Sequence, residues 1–445
     1  MDARVAVVGS GPSGMYAAEA LLDAGVSVDV FDKLPIPFGL VRYGVAPDHF
    51  SIRSVRNTFE KTFARDGLRF LGNVNVGVDI SLTELHDFYD AVVFTYGASG
   101  DRRLGIPGED LEGSVAATEL VAWYCGHPDA ERGTFEALLA RSGSVAVIGV
   151  GNVAVDVVRV LAKNASELES TDMPQHVLDV LANSAVRDVY LIGRRGPAQG
   201  AFTTKELREL GELEHAEVLV DAHSGVQEAR GFAEASGNKV AIRNVEVITE
   251  WAGRSPRGAK KRIHVMFLTK PVELIGKNRV QQLVVERTRL DVDGNAVGTG
   301  ELATIDVDMV VRSVGYRGEA IGSLPFDESR GVIANEDGRI VENGVPVTGG
   351  YVAGWIRRGP SGIIGTNKKC AISAVNALLE DLPSLPKASK RAPADVDALL
   401  ESRGVTVVTK DGWRKIDAAE VALGVKRGRE RTTLHQRDEL LAIAK

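Results

Sequence analysis

Cysteine is nearly missing: Cys125 and Cys370 are the only two in 445 residues. Two isolated thiols cannot build a disulfide scaffold, a zinc ribbon or a cysteine-ligated iron–sulfur cluster, and no metal site is expected. With no CxxC pair, dithiol redox chemistry is excluded as well, and the usage fits a reducing compartment. Long apolar runs are also lacking, since no stretch approaches the ~18 residues of a membrane helix. The first strand-like run starts at Arg4, which argues against a signal peptide. The expectation is a cytoplasmic protein without membrane insertion. Excess positive charge is absent too. A formal net charge of −7 argues against bulk nucleic-acid binding, though not against a local basic patch.

What is abundant is glycine, with 48 residues against a usual ~7%. The glycines follow no triplet repeat, so collagen is excluded. They point instead to tight turns and to close approach of backbone to something else. An apolar fraction of 44% and a charged fraction of 25% describe a globular chain. Its length suggests two to three domains.

Residues 4–8 are apolar and run into Gly9-Ser10-Gly11-Pro12-Ser13-Gly14. Met15, Ala18, Leu21 and Leu22 predict a helix up to Gly25, and Val26 to Phe31 predict a strand ending at Asp32. Strand, glycine turn, helix and strand make one βαβ unit. The pattern returns at 144–148, followed by Gly149-Val150-Gly151-Asn152-Val153-Ala154 and a helix through Val157, Val158 and Leu161. A polar stretch, 164–186, interrupts this second unit before a strand at 189–192 that ends in Gly193-Arg194-Arg195. Further strands running into glycine are expected at 91–97 and 309–315. An antiparallel addition of alternating strands is expected over 238–290, and a helix over 366–379. From about residue 390 a small mixed appendage is expected, with no chemical motif.

A bare GxGxxG is weak evidence, but this one has its strand, its helix and its acid. Gly9 permits the tight turn, Gly11 lets backbone approach a pyrophosphate, and Gly14 allows close helix–strand packing. The pyrophosphate would sit on the helix N-terminus, where amides and the dipole favour negative charge. Asp32 follows Gly9 by 23 residues, close to the ~20 expected of a carboxylate accepting from a ribose hydroxyl. In the second unit the strand ends in two arginines, not an acid. Arg194 and Arg195 would accommodate a 2′-phosphate, so this site should prefer NADP to NAD. A chain with both units most simply holds FAD and NADP(H), with a hydride passing between nicotinamide and flavin.

Longer segments carry a resemblance. Val8 to Gly14, Pro37-Phe38-Gly39-Leu40-Val41-Arg42, Gly44-Val45-Ala46-Pro47-Asp48-His49, Gly149 to Ala154, Phe202 to Glu209, and Gly354-Trp355-Ile356 through Gly365-Thr366-Asn367-Lys368-Lys369 resemble the adrenodoxin reductase family, in particular its bacterial NADPH:ferredoxin reductases. The match runs in the family's order from residue 4 to about 380. It implies an α/β fold of two Rossmann-like dinucleotide-binding domains, with an NADP domain (104–320) inserted in an FAD domain (1–103 and 321–445). It implies that Ser13 and Gly14 touch the FAD pyrophosphate, that Asp32 holds the adenosine ribose, and that Leu40 and Val76 line the adenine-side pocket or phosphates. Trp355 would lie beside the isoalloxazine, with the amides of Gly362, Ile363 and Ile364 at the ring and ribityl end. Arg102, the turn Val150-Gly151-Asn152-Val153, Arg194, Arg195 and Glu206 would hold NADP. The family usually has Glu where this chain has Asp32, and often a polar residue where it has Val150.

The implied activity is that of a ferredoxin–NADP(+) reductase: hydride from NADPH to flavin N5, then single electrons to a ferredoxin-like iron–sulfur protein. His49, Asp156 and Glu209 are read as catalytic residues that orient nicotinamide and tune proton uptake. The residue pattern agrees at Gly354-Trp355, where a strand end presents an aromatic and a glycine-rich turn opens a helix whose amides suit a reduced flavin. Arg254, Arg257, Lys260, Lys261 and Arg262 form a basic cluster that is either a solvated loop or a dock for an acidic electron carrier, with Lys205 and Arg208 as rivals. An NADPH-oxidising module of a larger synthase is a competing reading, but such modules carry cluster cysteines. A non-turnover NADP(H) redox sensor is another.

Overall fold

The computed structural model describes residues 3–445 and divides into two compact units. The first holds the chain up to Gly100, Cys125–Asp129 and Tyr316–Lys445, and the second holds Asp101–Tyr124 and Ala130–Gly315.

In the first unit seven strands lie in the order Asn335–Glu336, Arg339–Glu342, Val345–Val352, Ala91–Phe94, Arg4–Val8, Ser27–Asp32, Leu68–Gly72. The five from Val345–Val352 to Leu68–Gly72 are parallel. Every residue of Arg4–Val8 is buried, as expected of a parallel strand covered on both faces. The chain steps outward from Arg4–Val8 to Leu68–Gly72, then crosses back to Ala91–Phe94 on the other side. Such a reversal opens a crevice at the carboxyl ends of the two central strands. Val5 and Val7 pack on one face with Met15 and Leu21 of helix Pro12–Asp23 and Ala371 and Val375 of helix Ile364–Asp381. Ala6 and Val8 point into the core on the other face.

The expected mixed appendage is instead helical and integral to this unit. Helices Pro393–Ser402, Lys410–Val425 and Arg437–Ala444 follow one another. Trp413, Ile416, Leu434 and Leu440 join the core under Val5, while Val396 and Leu400 join the opposite one.

The second unit is a six-stranded parallel sheet in the order Ser114–Ala116, Met309–Arg312, Ser144–Ile148, Asp188–Ile192, Lys261–Met266, Ala216–Val220. The interrupting stretch is not merely polar: it folds as helix Gln175–Ala182 and buries Leu168, Met173, Val177 and Leu178. The antiparallel addition exists, as Thr269–Ile275, Gln282–Leu290 and Ala296–Asp306, but starts later than expected. Residues 239–252 form a helix. Asn238 caps it by accepting from the Val240 and Ala241 amides, and Ala241, Val245 and Ile248 are buried at helical spacing.

Candidate functional site

Both units repeat one construction at the carboxyl end of their parallel strands. In the first, the Gly9 amide donates to Phe31 O (2.7 Å), so the turn folds back onto the next strand. A Cβ on Gly9 (φ +106°) would lie 2.7 Å from Tyr96 Cα, and one on Gly14 would lie 1.9 Å from Gly9 O. A Cβ on Gly11 would meet nothing within 4 Å. Packing therefore demands the outer two glycines, while the middle one borders open space before helix Pro12–Asp23. In the second unit the Gly149 amide donates to Ile192 O (2.9 Å), and a Cβ on Gly149 (φ +133°) would lie 2.1 Å from Ser313 O. Gly151 again faces open space, before helix Asn152–Ala162.

The two cradles differ in the charge at the next strand end. Asp32 is half-buried, and its Oδ2 accepts from the Ser10 amide (2.9 Å) and hydroxyl while Oδ1 accepts from the Leu34 amide (2.9 Å). A carboxylate offers about four acceptor positions, so one remains for a ribose hydroxyl. Burial pushes its pKa up, outweighing these hydrogen bonds. Arg194 and Arg195 are exposed. Their main chain is pinned, with Thr288 Oγ1 donating to Arg194 O (2.7 Å) and the Leu268 amide to Arg195 O (3.0 Å), but neither guanidinium makes an ion pair.

Around the first cradle, distant segments converge. A Cβ on Gly354 (φ +81°) would lie 2.2 Å from Ser13 Oγ. The Ser13 hydroxyl donates to Asn367 Oδ1 (3.2 Å), which also accepts from Arg358 Nη2 (2.9 Å). The Trp355 ring sits 5.3 Å from that of Tyr316, and its indole N–H is buried without a partner. The Ile363 amide already donates to Thr366 Oγ1 (3.2 Å), which leaves those of Gly362 and Ile364 for a ligand. Leu40 starts the short helix Leu40–Tyr43, and Val76 lies in the core, so its side chain is turned inward. An open glycine cradle, a carboxylate at the strand end and an orphaned buried indole N–H fit a flavin dinucleotide.

Around the second cradle, Asn152 Oδ1 accepts from the Thr203 amide (2.8 Å) and ties the turn to helix Thr204–Gly211. Buried Glu206 accepts from the Thr203 hydroxyl (3.1 Å). Val150 packs on the strand end, 2.7 Å from where a Gly193 Cβ would be, and half-buried Val153 lies in the first turn of the helix. The Arg102 amide donates to Gly315 O (3.0 Å), and its side chain is exposed. Asp156 and Glu209 meet on one guanidinium: Arg159 lies 2.9 Å from Asp156 Oδ1 and 3.5 Å from Glu209 Oε2, with its side chain only 1% exposed. His49 belongs to the first unit, where it is buried ahead of the short helix Phe50–Arg53.

A family model described as an NAD(P)-binding Rossmann-like domain matches residues 7–68. The NADPH-ferredoxin reductase FprA of Mycobacterium tuberculosis is 43% identical over 99% of this chain and 98% of that protein. The chain belongs to the NADPH-ferredoxin and adrenodoxin reductase family. The mitochondrial NADPH:adrenodoxin oxidoreductase of Arabidopsis thaliana is 39% identical over 99% of this chain and 95% of that one. The solved structure of Mycobacterium tuberculosis FprA in complex with NADPH matches with a TM-score of 0.94 at 41% identity, covering 100% of both chains.

For a reductase of this family, the basic cluster is a poor dock. It lies at the amino end of Lys261–Met266, the edge of the sheet opposite the glycine turn. Lys261 donates to the carbonyls of Leu161 (2.9 Å) and Lys163 (2.8 Å), closing the end of helix Asn152–Ala162, and burial lowers its pKa to about 8. Arg254 pairs with Glu250, Arg262 with Asp188, and Arg257 donates to Ala216 O. Only Lys260 stays exposed and unpaired. Lys205 and Arg208 lie exposed on the helix tied to the nucleotide turn, where they line an open cavity of about 600 Å³ with Arg243, Glu209, Glu212 and Glu246.

Some site residues had no assigned role in the sequence reading. Ser10 and Thr95 knit the first turn, Thr95 Oγ1 donating to Gly9 O (2.8 Å), and Asn367 joins it to the Trp355 segment. Arg159 reads as an ordinary helical arginine until its two carboxylates are seen. For Asn367 a signal existed, since it lies within the resembling segment.

Proposed function

We propose that this chain is an FAD-dependent NADPH:ferredoxin oxidoreductase, with FAD in the first unit and NADP(H) in the second. The observation that carries the reading is the paired cradle: the same glycine construction twice, once ending in Asp32 and once in unpaired Arg194 and Arg195. A carboxylate suits a ribose with free hydroxyls, and arginines suit a phosphorylated one. Full-length likeness to reductases that use NADPH supports the same conclusion.

FAD held in this way would supply the redox chemistry, two-electron acceptance from NADPH and one-electron donation to an iron–sulfur protein. The chain's own residues position it. Gly9, Gly11, Ser13 and Gly14 admit the pyrophosphate to the helix N-terminus, and Asp32 takes the ribose hydroxyl at its remaining acceptor site. The Trp355 indole and the Gly362 and Ile364 amides are the donors left for the ring end. Gly151, Asn152 and Val153 receive the NADP pyrophosphate, and Arg194, Arg195 and Arg102 meet its negative charge. Asp156 and Glu209 act through Arg159, which they fix between helices Asn152–Ala162 and Thr204–Gly211. The acidic iron–sulfur partner docks through Lys205 and Arg208. Two cysteines, neither in a disulfide, support a reducing, cytoplasmic location, and among the described residues no helix is long and apolar enough to cross a membrane.

The test is an absorption spectrum of the purified protein followed by anaerobic titration with NADPH, then cytochrome c reduction with and without ferredoxin. A flavin spectrum bleached by one equivalent of NADPH, and ferredoxin-dependent turnover, are expected. A colourless protein that takes up no FAD, or turnover indifferent to ferredoxin, overturns the proposal.

A further inference from the structure

The C-terminal helix Lys410–Val425 reaches back to the wall of the first glycine cradle. That wall is the loop Phe38 to Tyr43. The Phe38 amide donates to Ser10 O (3.1 Å), and a Cβ on Gly39 would lie 3.1 Å from Gly11 Cα, the one cradle position that faces open space. Phe38 has φ +83°, a left-handed conformation that a bulky residue keeps only when its surroundings impose it. Here those surroundings are the rings of Phe59, Phe63 and Trp413, with the Trp413 ring edge-on at 6.0 Å.

Seven residues, two helical turns, beyond Trp413, the same helix presents Glu420. Glu420 is fully buried and pairs with Arg42, itself 3% exposed. It also accepts from Arg431 Nη1 (3.1 Å) and from the Leu434 amide (2.9 Å). The Arg42 guanidinium lies over the Trp413 ring at 5.7 Å and the Tyr43 ring at 5.3 Å. One helix face thus holds both ends of the loop: Trp413 at Phe38 and Glu420 at Arg42.

We propose that Glu420 and Trp413 are positioning residues for the flavin, and that the C-terminal helices act as a clamp that keeps the cradle wall formed and slows FAD release. The inference rests on the reading of the first unit as the FAD site. It follows from leverage. Arg431 also pairs with Asp417 (2.7 Å), so removing the Glu420 carboxylate falls on its pair with Arg42, which ties the loop to the helix, and lets the loop relax outward.

The test compares FAD release, followed by the rise of flavin fluorescence after dilution, with apoprotein melting. Glu420→Gln is set against Arg4→Met, which breaks a similarly buried ion pair with Asp29 at the opposite end of the same sheet. Glu420→Gln should speed release at least tenfold, while Arg4→Met should lower the apoprotein Tm comparably and change release less than twofold. If Glu420→Gln does not fold, Trp413→Leu probes the same loop through Phe38 and should also speed release. Release that is unmoved in flavin-loaded Glu420→Gln or Trp413→Leu, or that scales with Tm equally in Arg4→Met, overturns the clamp. A wild-type chain that binds no FAD would instead fail the site reading itself.

Discussion

The two middle glycines separate binding from folding, and Gly151→Ala makes the cleaner experiment. Its backbone (φ −105°, ψ 177°) is extended and open to any residue, and the added Cβ meets no protein atom within 4 Å. Folding should therefore be unharmed, or stabilised by about 0.4–1 kcal/mol through a less flexible unfolded chain. For a unit of this size that is a Tm change of roughly zero to +4 °C. A pyrophosphate approaching the same space would lose close contact with the turn. One charged hydrogen bond lost costs about 1.5–3 kcal/mol, or about tenfold to a hundredfold in affinity. The assay is steady-state KM for NADPH beside differential scanning of the flavin-loaded protein. KM should rise by that factor with flavin content intact. Gly149→Ala is the contrast: its Cβ would meet Ser313 O at 2.1 Å, so that variant should lose stability outright. An unchanged NADPH KM in Gly151→Ala would refute the cradle, and a Tm lower by several degrees would refute the open space.

Other variants test the charges. Replacing Arg194 and Arg195 together by Leu should raise the NADPH KM about tenfold to a hundredfold, leave that for NADH nearly unchanged and leave Tm within a degree or two, because neither side chain pairs within the protein; equal losses for both cofactors would sink the assignment. Asp32→Ala should yield apoprotein or readily lost flavin, and Asp32→Glu should keep it. Because burial raises the Asp32 pKa above its ordinary 3.8, flavin should be released on acidification at milder pH than an ordinary aspartate would dictate, and a release midpoint below that value would contradict the role. Ferredoxin reduction should slow as salt rises, since exposed charges are screened over ~8 Å at physiological salt, and Lys205→Glu or Arg208→Glu should raise the ferredoxin KM more than Lys260→Glu does. The reverse order would return docking to the basic cluster.

Local patterns were readable wherever the deciding partners lay nearby in sequence. The strands Arg4–Val8 and Ser144–Ile148 announce themselves because parallel strands covered on both faces are nearly continuous apolar runs, and Ser27–Asp32 through the spacing of Val28, Val30 and Phe31. The glycine turns announce themselves because no other residue fits at Gly9, Gly14 or Gly149. Residues 239–252 misled because Val240, Ile242, Val245, Val247, Ile248 and Thr249 are β-branched; the Asn238 cap and burial of one helical stripe outweigh that propensity. Trp413 and Glu420 were opaque for a different reason. Their partners, Phe38 and Arg42, lie more than 370 residues upstream, and no periodicity reports a contact across that distance. The basic cluster between Arg254 and Arg262 shows the converse: adjacency in sequence suggests one surface patch, while the fold gives Arg254, Arg257, Lys261 and Arg262 each a partner of its own and leaves only Lys260 unpaired.

The order of strands also sets a timetable for synthesis. Val345–Val352 completes the first sheet by pairing with Ala91–Phe94, yet the whole second unit is made between them. At ~5–20 residues per second on the ribosome, the edge of Ala91–Phe94 stays bare for tens of seconds while the inserted unit folds behind it. Gly354, Asn367 and the last three helices emerge later still. The nascent first unit is thus an open sheet with a half-built cradle, vulnerable to pairing with other chains, and loading of its cofactor must wait for Gly354, Asn367 and the helices that follow them.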